Sequence, residues 1–82
     1  MSYVHRLCKL AKDLNKPINI EYDANTFKFK VTIDNVVYKE KHLRQSIFGL
    51  GLTIEDACCD YLRKSHGGEL ENWLTNKTVA VI

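Results

Sequence analysis

The sequence predicts an α+β domain of order α-β-β-β-α. Three antiparallel strands, with room for a fourth, carry two helices on one face. Three observations predict this. An apolar stripe at helical spacing runs from Val4 to Leu14, apolar and polar residues alternate between Ile18 and Ile33, and a second helical stripe follows a capping motif at Thr53. The chain has 82 residues, enough for one domain, here residues 1–82 with 69–82 as a C-terminal extension. A domain of this size buries only about 60–65% of the surface of its unfolded chain, which leaves one thin core of two layers.

Val4, Leu7, Cys8, Ala11 and Leu14 form one face of the first helix, which Ser2 can cap. Pro17 stops it, lacking an N–H and driving Lys16 out of the helical region. His5, Lys9, Lys12 and Lys16 make a basic stripe opposite. Ile18, Ile20 and Tyr22 then alternate with Asn19 and Glu21, and Phe27, Phe29, Val31 and Ile33 with Lys28, Lys30 and Thr32. These are half-buried strands joined by a turn at Asp23-Ala24-Asn25-Thr26. Asp34-Asn35 reads as a two-residue hairpin into a third strand opened by Val36, Val37 and Tyr38. Lys39 to Gln45 is polar and mostly basic and reads either as that strand's continuation or as a loop. Ser46-Ile47-Phe48 turns back toward the core, and Gly49-Leu50-Gly51 supplies a tight strand-to-helix turn.

Thr53-Ile54-Glu55-Asp56 has capping-box spacing, and its two acids suit the positive end of a helix. Ile54, Ala57, Cys58, Tyr61 and Leu62 form the apolar face of the helix, which Gly67-Gly68 ends. Leu70, Trp73 and Leu74 predict a short helical turn, followed by an extended arm, Val79 to Ile82. The expected core is Val4, Leu7, Leu14, Phe29, Val31, Ile54, Cys58 and Leu62.

The chemistry-bearing residues argue against an enzyme. Cys8, Cys58 and Cys59 are odd in number, and adjacent helical cysteines diverge by about 100°, so they read as reduced, metal-free residues with Cys8 and Cys58 buried and Cys59 partly exposed. His5, His42 and His66 sit on separate elements beside no recognisable nucleophile. Gly49-Leu50-Gly51 matches no phosphate-binding motif, and Glu55 and Asp56 would repel an anion there. No catalytic residue, metal or cofactor is expected. No stretch approaches the roughly 18 apolar residues of a membrane span, and neither a signal peptide nor an even, spaced cysteine set is present, so the expected compartment is the cytoplasm. The net charge of +2 does not itself specify nucleic acid. Its distribution marks Lys9, Lys12, Lys16, Lys41 and Arg44 as the candidate binding surface, with Lys39 and His42 in the same loop as Lys41 and Lys28 and Lys30 on the second strand.

From Pro17 to Leu62 the chain is similar in outline to the double-stranded-RNA-binding domain. Phe27, Phe29, Val31 and Ile33 resemble its central strand, and Gly49-Leu50-Gly51-Leu52-Thr53 with Ala57 resembles its G-x-G-x-S-x-x-x-A lead into the last helix. That family opens this helix with lysines that clasp phosphates across the RNA major groove. Here Ile54, Glu55 and Asp56 reverse the charge, and a short turn replaces the family's His-containing loop, so weak or no duplex-RNA binding is expected.

Gly49-x-Gly51-x-Thr53-x-Glu55-Asp56-Ala57, then Asp60-Tyr61, Gly67 and Leu70, also resembles the ending of small bacteriophage and prophage proteins. HicB-type antitoxins have a comparable G-x-T-x-E-E-A strand-to-helix segment. This resemblance implies a non-enzymatic phage-type protein that binds and inhibits a host macromolecule from the host bacterial cytoplasm. Its most concrete version is an anti-CRISPR or other anti-defence inhibitor. The expected partner is a host or phage protein, a nucleoprotein complex included, and not a membrane. The alternatives are a nucleic-acid-binding module and an antitoxin-like regulatory oligomer. A monomer or a homodimer through the C-terminal segment is expected.

Overall fold

The computed structural model describes residues 2–82, which form two helices and seven strands. The first helix, α1 (Tyr3–Asp13), starts where the Ser2 hydroxyl accepts the His5 N–H at 3.0 Å. Its end corrects the sequence reading. Asn15 takes a left-handed φ of 59°, its N–H donates to the Lys12 carbonyl, and the Lys16 N–H donates to the Ala11 carbonyl. This is a Schellman turn, so Asn15 ends the helix and Pro17 only bars its resumption.

Strands β1 (Ile18–Asp23) and β2 (Lys28–Ile33) form the expected hairpin, with the Tyr22 and Phe29 rings 5.0 Å apart. Phe27, expected in the strand, lies instead in the turn, exposed and at φ 58°. The larger correction is at Asp34-Asn35. The third strand, β3 (Val36–Glu40), does not pair with β2, so no two-residue hairpin forms there. Asn35 takes φ 55°, and its carbonyl accepts the Trp73 N–H, which turns the chain into a second sheet.

After β3 come β4 (Leu43–Gln45) and β5 (Gly49–Gly51), then α2 (Ile54–Ser65), β6 (Glu69–Asn72) and β7 (Thr78–Ala80). The place beside β2 goes to β5, giving one antiparallel sheet of order β1-β2-β5 and another of order β4-β3-β6-β7. The predicted frame of helix, three strands and helix is therefore present in the first sheet, with β5 as its third strand. Residues 34–48 and the C-terminal segment build the second sheet around it.

The C-terminal segment also departs from its sequence pattern. The helical spacing of Leu70, Trp73 and Leu74 is overridden by pairing, because Glu69–Asn72 lies between β3 and β7. Leu70 is buried there, while Trp73 and Leu74 lie exposed in the following turn.

Helix α2 lies across β2 and β5, and α1 packs against α2. Leu7, Leu14, Val31, Cys58 and Leu62 are buried as expected, joined by Tyr38, Tyr61, Leu70 and Val81. Val4 and Phe29 are half-buried against this core. Two expectations fail. Ile54 is 37% exposed, because it opens α2 only three residues after β5, before the helix has crossed back over the sheet. Cys8 is exposed, because Leu7, about 100° away round the helix, takes the buried position.

Candidate functional surface

The basic segment after Tyr38 is a hairpin. Lys39 and Glu40 end β3, Lys41 and His42 make the turn with Lys41 at φ 55°, and Arg44 stands opposite Lys39 on β4. The side chains of Lys39, Lys41, His42 and Arg44 line one cleft of about 230 Å³. Arg44 is anchored, its Nε lying 2.9 Å from Oε1 of Glu71 on β6. Glu71 is only 4% exposed, so this charge-assisted contact compensates a carboxylate withdrawn from water. Glu69 stands opposite Lys39 on β6. Lys41 and His42 are exposed at the tip.

The α1 residues form a separate group. Lys9 and Lys12 are exposed and Lys16 is half-buried. Lys12 and Lys16 line a groove of about 270 Å³ with Cys8, Ala11, Pro17 and Ile18. The C-terminal end of α1 is held near the start of β3, because Asn72 Nδ2 donates to the Leu14 carbonyl at 2.7 Å and Asn72 pairs with Val36. The basic hairpin projects from the other end of β3, about 14 Å away at roughly 3.4 Å per residue. Lys9, Lys12 and Lys16 therefore share one region and Lys41 and Arg44 another, and neither of these two clefts contains both groups.

A third groove, of about 270 Å³, was not marked by the sequence pattern. It lies between the two helices, where Arg6, Arg63 and His66 surround Tyr3, Leu62 and Ile82. Arg6 donates to the Ile82 backbone oxygen at 3.3 Å. Arg6 sits off the basic stripe of α1, and Arg63 and His66 read as ordinary cations at a helix end, so only folding shows that they converge.

The acids of α2 have structural partners. Thr53 Oγ1 accepts the Asp56 N–H at 3.0 Å, as the capping motif predicts. Glu55 reaches across to accept the Tyr3 N–H and so caps the other helix. Asp60 accepts the Leu50 N–H at 2.9 Å and is paired with Arg63 and with Lys64, the latter at 3.0 Å. Burial opposes the Asp60 charge, but the Leu50 N–H and the two cations outweigh it and hold the carboxyl at about 2. Lys64 also donates to the Phe48 carbonyl at 2.8 Å and lies 4.7 Å from the Phe48 ring centre, with Lys30 at 5.0 Å. These contacts fasten the outer edge of β5 to α2.

The three cysteines form no disulfide. Burial, then the nearby Glu55 and Cys8, pushes the Cys58 thiol up to about 11, which keeps it un-ionised. Among the described residues no three His, Cys, Asp or Glu side chains converge as metal ligands, and no helix is long and apolar enough to cross a membrane. The chain matches no protein-family model, no curated protein and no solved structure.

Proposed function

We propose that this chain is a non-enzymatic binding protein that docks its basic β3–β4 hairpin on an acidic surface of a host macromolecule and inhibits it by occupancy. The observation that carries the reading is the convergence of Lys39, Lys41, His42 and Arg44 on one cleft at an exposed hairpin. Pairing with Glu71 fixes the Arg44 head, which reduces the entropy a partner must remove, while Lys41 and His42 stay free to meet it. Lys9, Lys12 and Lys16 supply a second contact that a broad partner reaches. An anti-defence protein acting on a nuclease, as phage accessory proteins do, is the concrete form of this function.

A second reading, a nucleic-acid-binding module, draws on the frame of helix, three strands and helix in the first sheet. The acids at the start of α2 weigh against duplex RNA in that family's mode, because Asp56 is exposed with its negative charge where phosphates would sit and Glu55 is held by the Tyr3 N–H beside it.

One experiment separates the readings. The full chain is used to capture partners from bacterial lysate with and without nuclease treatment, beside a Lys41→Glu, His42→Glu variant. A protein retained after nuclease treatment and lost with the variant supports the proposal. Direct titration with duplex RNA, single-stranded RNA and DNA at two salt concentrations completes it. Tight binding to duplex RNA that weakens steeply with salt would overturn the protein-partner reading.

A further inference from the structure

The four sheet edges are not equally protected. The outer edge of β5 is closed by α2, through Asp60 on the Leu50 N–H and Lys64 on the Phe48 carbonyl. In the second sheet the edge strands β4 and β7 are three residues each, too short to template much pairing. Beyond β7, the Val81 backbone is already bonded to Gly67 and Gly68. Strand β1 is different. It is six residues long, it holds the free edge of the first sheet, and among the described residues no side chain bonds its backbone. It has no proline or bulge within it, and its two charged residues, Glu21 and Asp23, both lie on the face opposite Ile20 and Tyr22. On the face shared with Val31 and Phe29, Ile20 is 46% and Tyr22 54% exposed. Apolar side chains thus lie uncovered beside unpaired backbone.

The segment is also self-complementary. Lys16 precedes the strand, and Glu21 and Asp23 occupy its second half. Antiparallel pairing about a two-fold axis reverses one copy, so Lys16 at the start of each strand comes beside the acidic end of the other, one position from the partner's Asp23. With the axis at Ile20, Ile20 faces the partner's Ile20, Ile18 faces the partner's Tyr22, and Asn19 faces the partner's Glu21. A shift of two residues one way would oppose Glu21 to the partner's Glu21, a like-charge pair that destabilises a sheet. A shift of two the other way would bring Pro17, which has no N–H to donate, opposite the partner's Glu21 and would lose the contact of Ile18 with the partner's Tyr22. A shift of one would put inward residues opposite outward ones. We infer that β1 is a homodimer interface in this single register, joining two copies of the first sheet into one continuous sheet of six strands, three from each copy.

Sedimentation equilibrium of the full chain, with circular dichroism to check folding, tests the interface. The expected result is a reversible dimer, with association weakened more than about tenfold by Ile20→Lys, which sets two cations against each other at the axis. The register is tested separately in a Cys8→Ser background. Directly opposed residues have Cα atoms about 4.5–5.5 Å apart, within reach of a disulfide. Ile20→Cys should therefore give an oxidised covalent dimer, and Glu21→Cys should not. A chain that stays monomeric, a dimer indifferent to Ile20→Lys, or equal cross-linking at both positions would each overturn the inference.

Discussion

Single residues carry several of the unusual features of this molecule. Tyr61 is fully buried in the core, and its hydroxyl has no hydrogen-bond partner among the described residues. Burial drives its ionisation well above the ordinary tyrosine range, so the group stays neutral. A buried hydroxyl without a partner costs about 1–3 kcal/mol, while the ring fills volume that the core needs. Tyr61→Phe should therefore raise stability by roughly 1 kcal/mol, measured as a higher urea midpoint with an unchanged slope. Phe27 holds a left-handed backbone with its ring in solvent. A bulky residue there costs about 1–2 kcal/mol, which glycine would avoid. Phe27→Gly should raise the thermal midpoint, and a lowered midpoint in a thermal scan would show that the ring has a stabilising contact. Asn15, Asn35 and Asn76, also left-handed, are the residues expected to tolerate that conformation. Sequence marked Asn35 as a turn residue but could not say whether the turn closes a hairpin or changes sheets, since both need only the same local backbone.

At the scale of elements, the glycines before α2 show a sequence signal given the wrong cause. Neither Gly49 nor Gly51 has a positive φ, and both lie within β5, so no special turn conformation requires them. They are small because α2 lies directly on them. A Cβ at Gly49 would come within 2.0 Å of the Ala57 carbonyl oxygen, and one at Gly51 within 2.4 Å of the Ala57 nitrogen. Gly49→Ala should cost about 3 kcal/mol or more, at or beyond the top of the usual range for overpacking, because the obstructing atom is backbone. A denaturation midpoint close to that of the wild type would contradict this contact. Both helices were legible because their apolar stripes and N-caps are local. Strand β6 was not. Its inward positions are Leu70 and Asn72, and a buried asparagine hides the period of two that marks a strand. The basic hairpin was legible as charge, while the Arg44–Glu71 contact was not, because it joins residues distant in sequence and β6 was read as a helix.

For the whole molecule, the tie between β5 and α2 makes stability dependent on acid. Asp60 titrates at about 2 in the folded chain, below its ordinary 3.8. A depressed carboxyl contributes stability that is fully present above its unfolded value and is lost as the pH falls through the folded one. The Asp60 contribution should therefore hold near neutrality and drain away between about pH 5 and pH 2. Urea unfolding at about pH 6, 4 and 2.5 should show wild type and Asp60→Asn converging as the pH falls. Equal differences across that range would show that Asp60 does not titrate as its contacts require.

Asn72 has a consequence for how the chain reaches this state. Its side chain satisfies Leu14, 58 positions earlier, and also accepts from the Leu74 N–H at 2.9 Å. Its strand supplies the second neighbour of β3. The helix made first therefore awaits a partner made late, and a nascent chain stopped before residue 69 lacks the middle of its second sheet. Contacts of such separation exact loop-closure entropy before they give any stabilisation, so refolding should be slow for a protein of this size. During synthesis, β1 and β2 emerge before β5, so the second edge of β2 stays unpaired until residues 49–51 arrive, which adds a second open edge to that of β1 and raises the risk of misassociation in that interval.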